Sequence, residues 1–118
     1  MDRVETINRD LFYTTPKQAC IDWLNSIDKE STVSLEDFTG NDMVEVFLIP
    51  EFENADAALA WLEINYEEWF ENLLNEFWTD DDDWPQNRSW KMMNDFFDIK
   101  YQSQITDTVP QPIRKEEN

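Results

Sequence analysis

Residues 56–78, DAALAWLEINYEEWFENLLNEFW, decide how this chain folds. Leu59, Leu62, Tyr66, Trp69, Phe70, Leu73 and Phe77 recur at steps of three and four, which is the period of an α-helix and not of a strand. Ala57, Ala58 and Ala60 favour its first turns. One long amphipathic helix of this kind must lay its apolar stripe on something, and the flanking segments say what that is.

Upstream, 46–50 reads VFLIP within MVEVFLIP, a strand that Pro50 ends because proline has no N–H to give to a ladder. Its near-continuous apolar character predicts a central strand covered on at least one face. The opening RVETINRDLFYTT is rich in β-branched and aromatic residues and predicts a first strand. Thr15-Pro16 then reads as a helix start, with Thr15 as N-cap and Pro16 at the first helical position. The helix it opens places Ala19, Trp23 and Ile27 on one stripe, with Cys20 and Leu24 beside them. Residues 28–42 are polar and predict a loop, in which Ser34 and Asp37 cap a short turn. Downstream, a second helix is expected after Pro85, carrying Trp90, Met93, Phe96 and Phe97, and IKYQSQITDTV reads as a last strand. The order is β-α-β-α-α-β. The expected fold is α+β, a small sheet of about three strands packed against helices, as one domain over residues 1–108. The stretch 109–118, with two prolines and many charges, is expected to be frayed or disordered.

Charge is the unusual quantity. Twenty-seven acids against nine bases give a net charge of −18, yet 14% of the 118 residues are aromatic, which separates this chain from acidic disordered proteins. The excess is local. Residues 1–50 carry ten acids and four bases, residues 84–118 five of each, and residues 51–83 twelve acids with no Lys or Arg. Within the long helix Glu63, Glu67 and Glu71 fall on one face, each like-charged pair costing a few tenths of a kcal/mol where a Glu–Lys pair would stabilise by ~0.2–0.5 kcal/mol. Glu68, Glu76 and the run Asp80, Asp81, Asp82, Asp83 extend the surface. These nine residues are the candidate partner-binding set, for a basic partner protein. A solvated acidic face is the plainer reading of the same residues.

Such a surface repels nucleic acid and anionic membranes. As an imitation of DNA a single stripe is sparse, about one charge per ~6 Å of helix against one per ~1.7 Å of duplex. An inhibitor of a DNA-binding protein is therefore a subclass of the docking reading, resting on the combined stripe and aspartate run.

The aspartates themselves fail as a calcium loop. Counting from Asp80, Trp84, Pro85 and Lys91 stand where an EF-hand needs an acid, a glycine and a glutamate. As a connector they fit better, capping free N–H groups, with Thr79 and Asp82 at capping-box spacing and Trp78 and Trp84 pinning the junction to the core. The absence of His removes imidazole acid–base chemistry, Ser-His-Asp triads and His-ligated zinc. The single Cys20 makes neither a disulfide nor a CxxC pair, and it lies on an apolar stripe as a buried inert thiol would. Carboxylate pairs are unavoidable among 27 acids and point to no glycosidase. No catalytic residue, metal site or cofactor is expected, and the chain is read as a non-enzyme. MDRVETINRD has no apolar signal-peptide core and no apolar run is long enough to span a membrane, so a soluble cytoplasmic protein is expected.

The segments VFLIPEF, ALAWLEINYEEWFENLLNEFWTD and WPQNRSWKMMNDFFDIKYQSQI resemble those of a group of small acidic bacterial proteins to which no activity is assigned. The likeness spans about residues 5–107 and implies a bacterial cytoplasmic origin and one domain, with no catalytic residue to transfer. Two other readings stand beside acidic docking. One is a small-ligand or carbohydrate-binding module using exposed Trp84 and Trp90. The other is a homodimer built on an aromatic face, because so many large apolar residues are more than one small protomer is expected to enclose.

Overall fold

The computed structural model describes residues 5–38 and 43–116. The end of the expected polar loop, 39–42, and the last two residues of the tail lie outside the described part. The elements are β1 (Glu5–Thr6), β2 (Asp10–Pro16), α1 (Gln18–Ile27), β3 (Glu45–Ile49), α2 (Ala55–Phe77), α3 (Trp90–Phe96), β4 (Phe97–Gln102) and β5 (Thr106–Asp107). Single 3₁₀ turns cover Leu35–Phe38 and Asp81–Asp83. This is the expected α+β fold, with helices against a small antiparallel sheet.

The sheet has the order β3-β2-β4, so the early strand β2 is central and antiparallel to both neighbours. That corrects the placing of β3, which is an edge strand. Its apolar run reflects Phe47 and Ile49 packing inward while Val46 and Leu48 stand 57% and 50% exposed on the other side. Strand alternation sends Phe12, Thr14, Phe47, Ile49, Phe97, Ile99 and Tyr101 toward the helices, where Phe12 stacks on Phe47 with ring centroids 4.7 Å apart.

Against that face α2 buries Ala58, Leu62, Phe70, Leu73 and Leu74. Each fully buried Leu or Phe contributes roughly 1.5–3 kcal/mol of transfer free energy, so this stripe holds the helix far more strongly than propensity does. Phe70 packs edge-on to both Phe96 and Phe97, joining α2 to the α3–β4 junction. Cys20, Ile21 and Leu24 bury the inner side of α1.

Three boundaries differ from expectation. Pro16 remains in β2, paired with Phe97, and α1 starts two residues later behind Lys17, which has no side-chain cap. The Lys17 N–H donates to Phe96 O at 2.8 Å and its Nζ to Asn94 O at 2.9 Å, so sheet pairing and ties to α3 set this boundary where the local Thr-Pro signal pointed earlier. α3 begins at Trp90, not after Pro85, because Ser89 Oγ caps it by accepting from Met92 N at 3.1 Å. The last strand is split. Gln104 turns the chain with φ 59°, and β5 pairs with β1 in a separate two-stranded ladder. The Ser34–Asp37 turn forms as expected, with Asp37 Oδ2 accepting from Ser34 N at 2.8 Å. Residues 108–116 contain no helix or strand.

Asp10 and Thr14 are polar residues buried on β2. The Asp10 carboxylate accepts from Phe52 N at 3.0 Å and from Tyr101 Oη at 2.5 Å, closing the inner end of the sheet. Thr14 Oγ1 is buried with no hydrogen-bond partner among the described residues. No described helix is long and apolar enough to cross a membrane.

Candidate functional site

The outward side of α2 carries the acids that burial would exclude. Asn54 caps the helix, its Oδ1 accepting from Ala57 N at 2.8 Å. Glu63, Glu67, Glu68 and Glu76 are exposed and Glu71 is half-buried. The helix ends at Phe77, and the chain then folds back through a tight turn rather than running on as a loop.

Indole groups hold that turn. Trp78 Nε1 donates to Asp83 Oδ2 at 3.0 Å, Trp84 Nε1 to Trp78 O at 2.7 Å, and Trp23 Nε1 to Asp83 O at 3.2 Å. Asp80, not Thr79, supplies the cap, with Oδ1 accepting from Asp82 N at 3.1 Å. The expected connector role of the aspartates therefore holds, through different partners from those the capping-box spacing suggested. All four aspartates are exposed, but Asp83 also accepts from two indoles, which Asp80, Asp81 and Asp82 do not.

Between this turn and α2 lies an open cleft of about 590 Å³. Trp69, Trp84 and Phe47 give it aromatic wall, and Glu68, Glu71 and Asp81 give it carboxylates. Asn72 and Asn75 complete the lining with amides. A smaller recess of about 200 Å³ adjoins it, where Glu71, Asp81 and Trp84 meet Asp82, Gln86 and Arg88. Arg88 is the one basic residue lining either space. Its Nη2 lies 2.6 Å from Glu71 Oε2 and 3.9 Å from Glu67 Oε1, and its Nη1 donates to Pro85 O at 2.9 Å. Its Nε is buried without a partner among the described residues. The chain thus shows, in its own Arg88, a guanidinium held against the acids of α2. Such a fork suits carboxylate geometry, which an ammonium would match less well.

Of the nine candidate residues, Glu68, Glu71, Asp81 and Asp82 line these two spaces, and Glu67 reaches them through Arg88. Glu63 and Glu76 do not line them. Among the described residues no Lys or Arg lies within ion-pair distance of Glu63, Glu68 or Glu76. Glu76 instead faces Glu45 of β3, whose carboxyl is raised above the ordinary range, first by burial and then by the Glu76 charge. One carboxylate oxygen each of Asp80, Asp81 and Asp82 can be drawn within 4.8 Å of the others, but all three residues are exposed, which makes a weak, unselective cation surface. Burial pushes the Cys20 thiol up to about 12, so it holds no thiolate at neutral pH.

Trp69, Asn72 and Asn75 line the cleft and Arg88 the adjoining recess, and none was among the site residues expected from sequence. Trp69 reads as pure core from its spacing, and the two asparagines as neutral surface. Arg88 carried a usable signal, as the first base after residues 30–87, a stretch of 58 residues without Lys or Arg. Trp84 lines the cleft, while Trp90 is packed into the core with Tyr66 at a centroid distance of 6.2 Å and offers no flat open platform.

No protein-family model, curated protein or solved structure matches the chain. The site's chemistry must carry the functional reading.

Proposed function

We propose that this chain is a non-enzymatic docking protein that receives a basic segment of a partner protein in the cleft between α2 and the 80–84 turn. The observation that supports it is the pairing of unneutralised carboxylates, Glu68 and Asp81, with indole walls, Trp69 and Trp84, in one open concavity. Carboxylates draw a cation in, and an indole face at the same place stabilises it by about 0.5–2 kcal/mol, depending on how far it is desolvated. The long apolar stem of a Lys or Arg side chain is suited to the aromatic wall while its head stays with the acids. The chain's charge then favours fast, salt-sensitive encounter with a basic protein. A DNA-binding protein is one such partner, and its inhibition by this surface is the narrower form of the proposal.

The test is retrieval of partners from lysate by the wild type and by Glu68→Gln/Asp81→Asn, positions whose side chains are not tied into the fold. Each neutralised exposed charge should cost about 0.5–1 kcal/mol, so the pair should weaken capture roughly ten-fold. Trp84→Ala would be a poor first probe, because Trp84 also holds the turn. Equal recovery of the same partners by both proteins, at low salt as well as at physiological salt, rejects the proposal. Competition by duplex DNA at low salt separates the narrower form from the general one.

A further inference from the structure

We infer that the open face of the sheet, on the side away from the helices, is covered by a second copy of this chain, packed sheet against sheet. The face is defined by strand alternation. With Phe12 and Thr14 buried inward, Leu11 and Tyr13 point outward, and the register sets Leu11 opposite Leu48 and Tyr13 opposite Val46. Four apolar side chains therefore form one block, half of it solvent-exposed at Val46 and Leu48. On the other side of β2, Lys100 stands opposite Tyr13 and Asp98 opposite Thr15. The described tail does not seal the block, since its own apolar residues Val109 and Ile113 are 56% and 61% exposed.

Charge decides the occupant. In a chain of net charge −18, this face bears one Asp and one Lys and is neutral. A basic partner gains nothing here, whereas two copies of a polyanion can approach each other only where the acid is absent. Packed this way, the acidic sides of the two α2 helices stay apart by two sheet–helix layers and one sheet–sheet layer. That is roughly 30 Å, several times the ~8 Å screening length of physiological salt. A two-fold axis crossing the strands at right angles brings the Val46–Leu48 pairs of both copies together, as an isologous interface requires. The size of the face sets the strength. Three strands ~4.8 Å apart and six residues long give a footprint of ~300 Å² per copy, short of the ~1,200–2,000 Å² total of a stable interface. The dimer is consequently weak and concentration-dependent, in the micromolar range or looser.

Sedimentation equilibrium of the full chain over a wide concentration range should show a monomer–dimer equilibrium that tightens as salt screens the residual repulsion. Val46→Asp/Leu48→Asp, at exposed positions, should weaken it at least ten-fold while leaving the circular dichroism spectrum unchanged. As a check that needs no variant, dilution of the wild type should shift the Val46 and Leu48 methyl NMR signals and leave those of α2 in place. A monomer at every concentration overturns the inference. So does a dimer that survives both aspartates, dilution shifts that fall on α2, or occupation of the face by a different protein while the chain itself stays monomeric.

Discussion

Replacing Tyr101 by Phe deletes one oxygen, and the structure says what that oxygen does. Its O–H donates at 2.5 Å to the carboxylate of Asp10, a residue 3% exposed that also accepts from the Phe52 N–H. Hydrogen bonds to charged groups are worth about 1.5–3 kcal/mol, and because Tyr101 is half-buried the lower end applies. The expected loss is ~1.5 kcal/mol, or a fall of about 6 °C in Tm for a chain of this size. A double-mutant cycle in urea, using Tyr101→Phe, Asp10→Ala and the pair, isolates the term, since both single changes remove the same bond. The coupling should match the single-mutant loss to within a few tenths of a kcal/mol. There is also a pH signature. The hydrogen bond to Asp10, then burial, then the Asp10 charge raise the Tyr101 phenol above its ordinary value, with Ser103 opposing. A group raised on folding stabilises fully below its unfolded pKa, near 10, and that contribution is lost as pH rises through the folded value. Wild type should therefore lose stability in alkali more steeply than Tyr101→Phe. A coupling near zero, or identical alkaline profiles, would refute the reasoning.

Two further predictions concern buried groups. Thr14→Val should stabilise the protein by about 1 kcal/mol in urea, because Thr14 Oγ1 is desolvated with nothing bonded to it and the methyl fills the same space. A loss of stability would refute this reading of the hydroxyl. Cys20, with its thiol at about 12, should react with a thiol reagent at pH 8 only through global opening. Its labelling rate should follow urea-induced unfolding; fast labelling of the folded protein would contradict its complete burial.

How far the fold could be read from sequence differs element by element. α2 was legible to within a residue at each end because its stripe is long and its period unambiguous. β3 was legible as a strand but not as an edge, since a run such as VFLI looks alike whether one or both faces are covered, and the pairing partner is set by chain geometry beyond local pattern. The starts of α1 and α3 were displaced because Thr15-Pro16 and Pro85 are local signals. Pairing of Pro16 with Phe97, and the Ser89 cap, override them. For the site, the acidic residues were visible as composition, but concavity is not a property of sequence. Nothing in 51–83 says that Glu68 and Asp81 share a cleft while Glu63 and Glu76 stay outside it. Asp10 went unremarked among 27 acids because its role depends on a tyrosine 91 positions away.

That separation bears on how the molecule is made. β2 emerges early but can gain its second neighbour only when residues 97–102 have been synthesised, so the sheet's centre must wait for nearly the whole chain. Until then β2 has only β3 beside it, and a hairpin of two strands is marginal alone. Such distant pairings make folding slower than that of a helical bundle of the same size. A chain cut before residue 97 would lack a strand flanking its central one, and its helices would have half a floor to rest on.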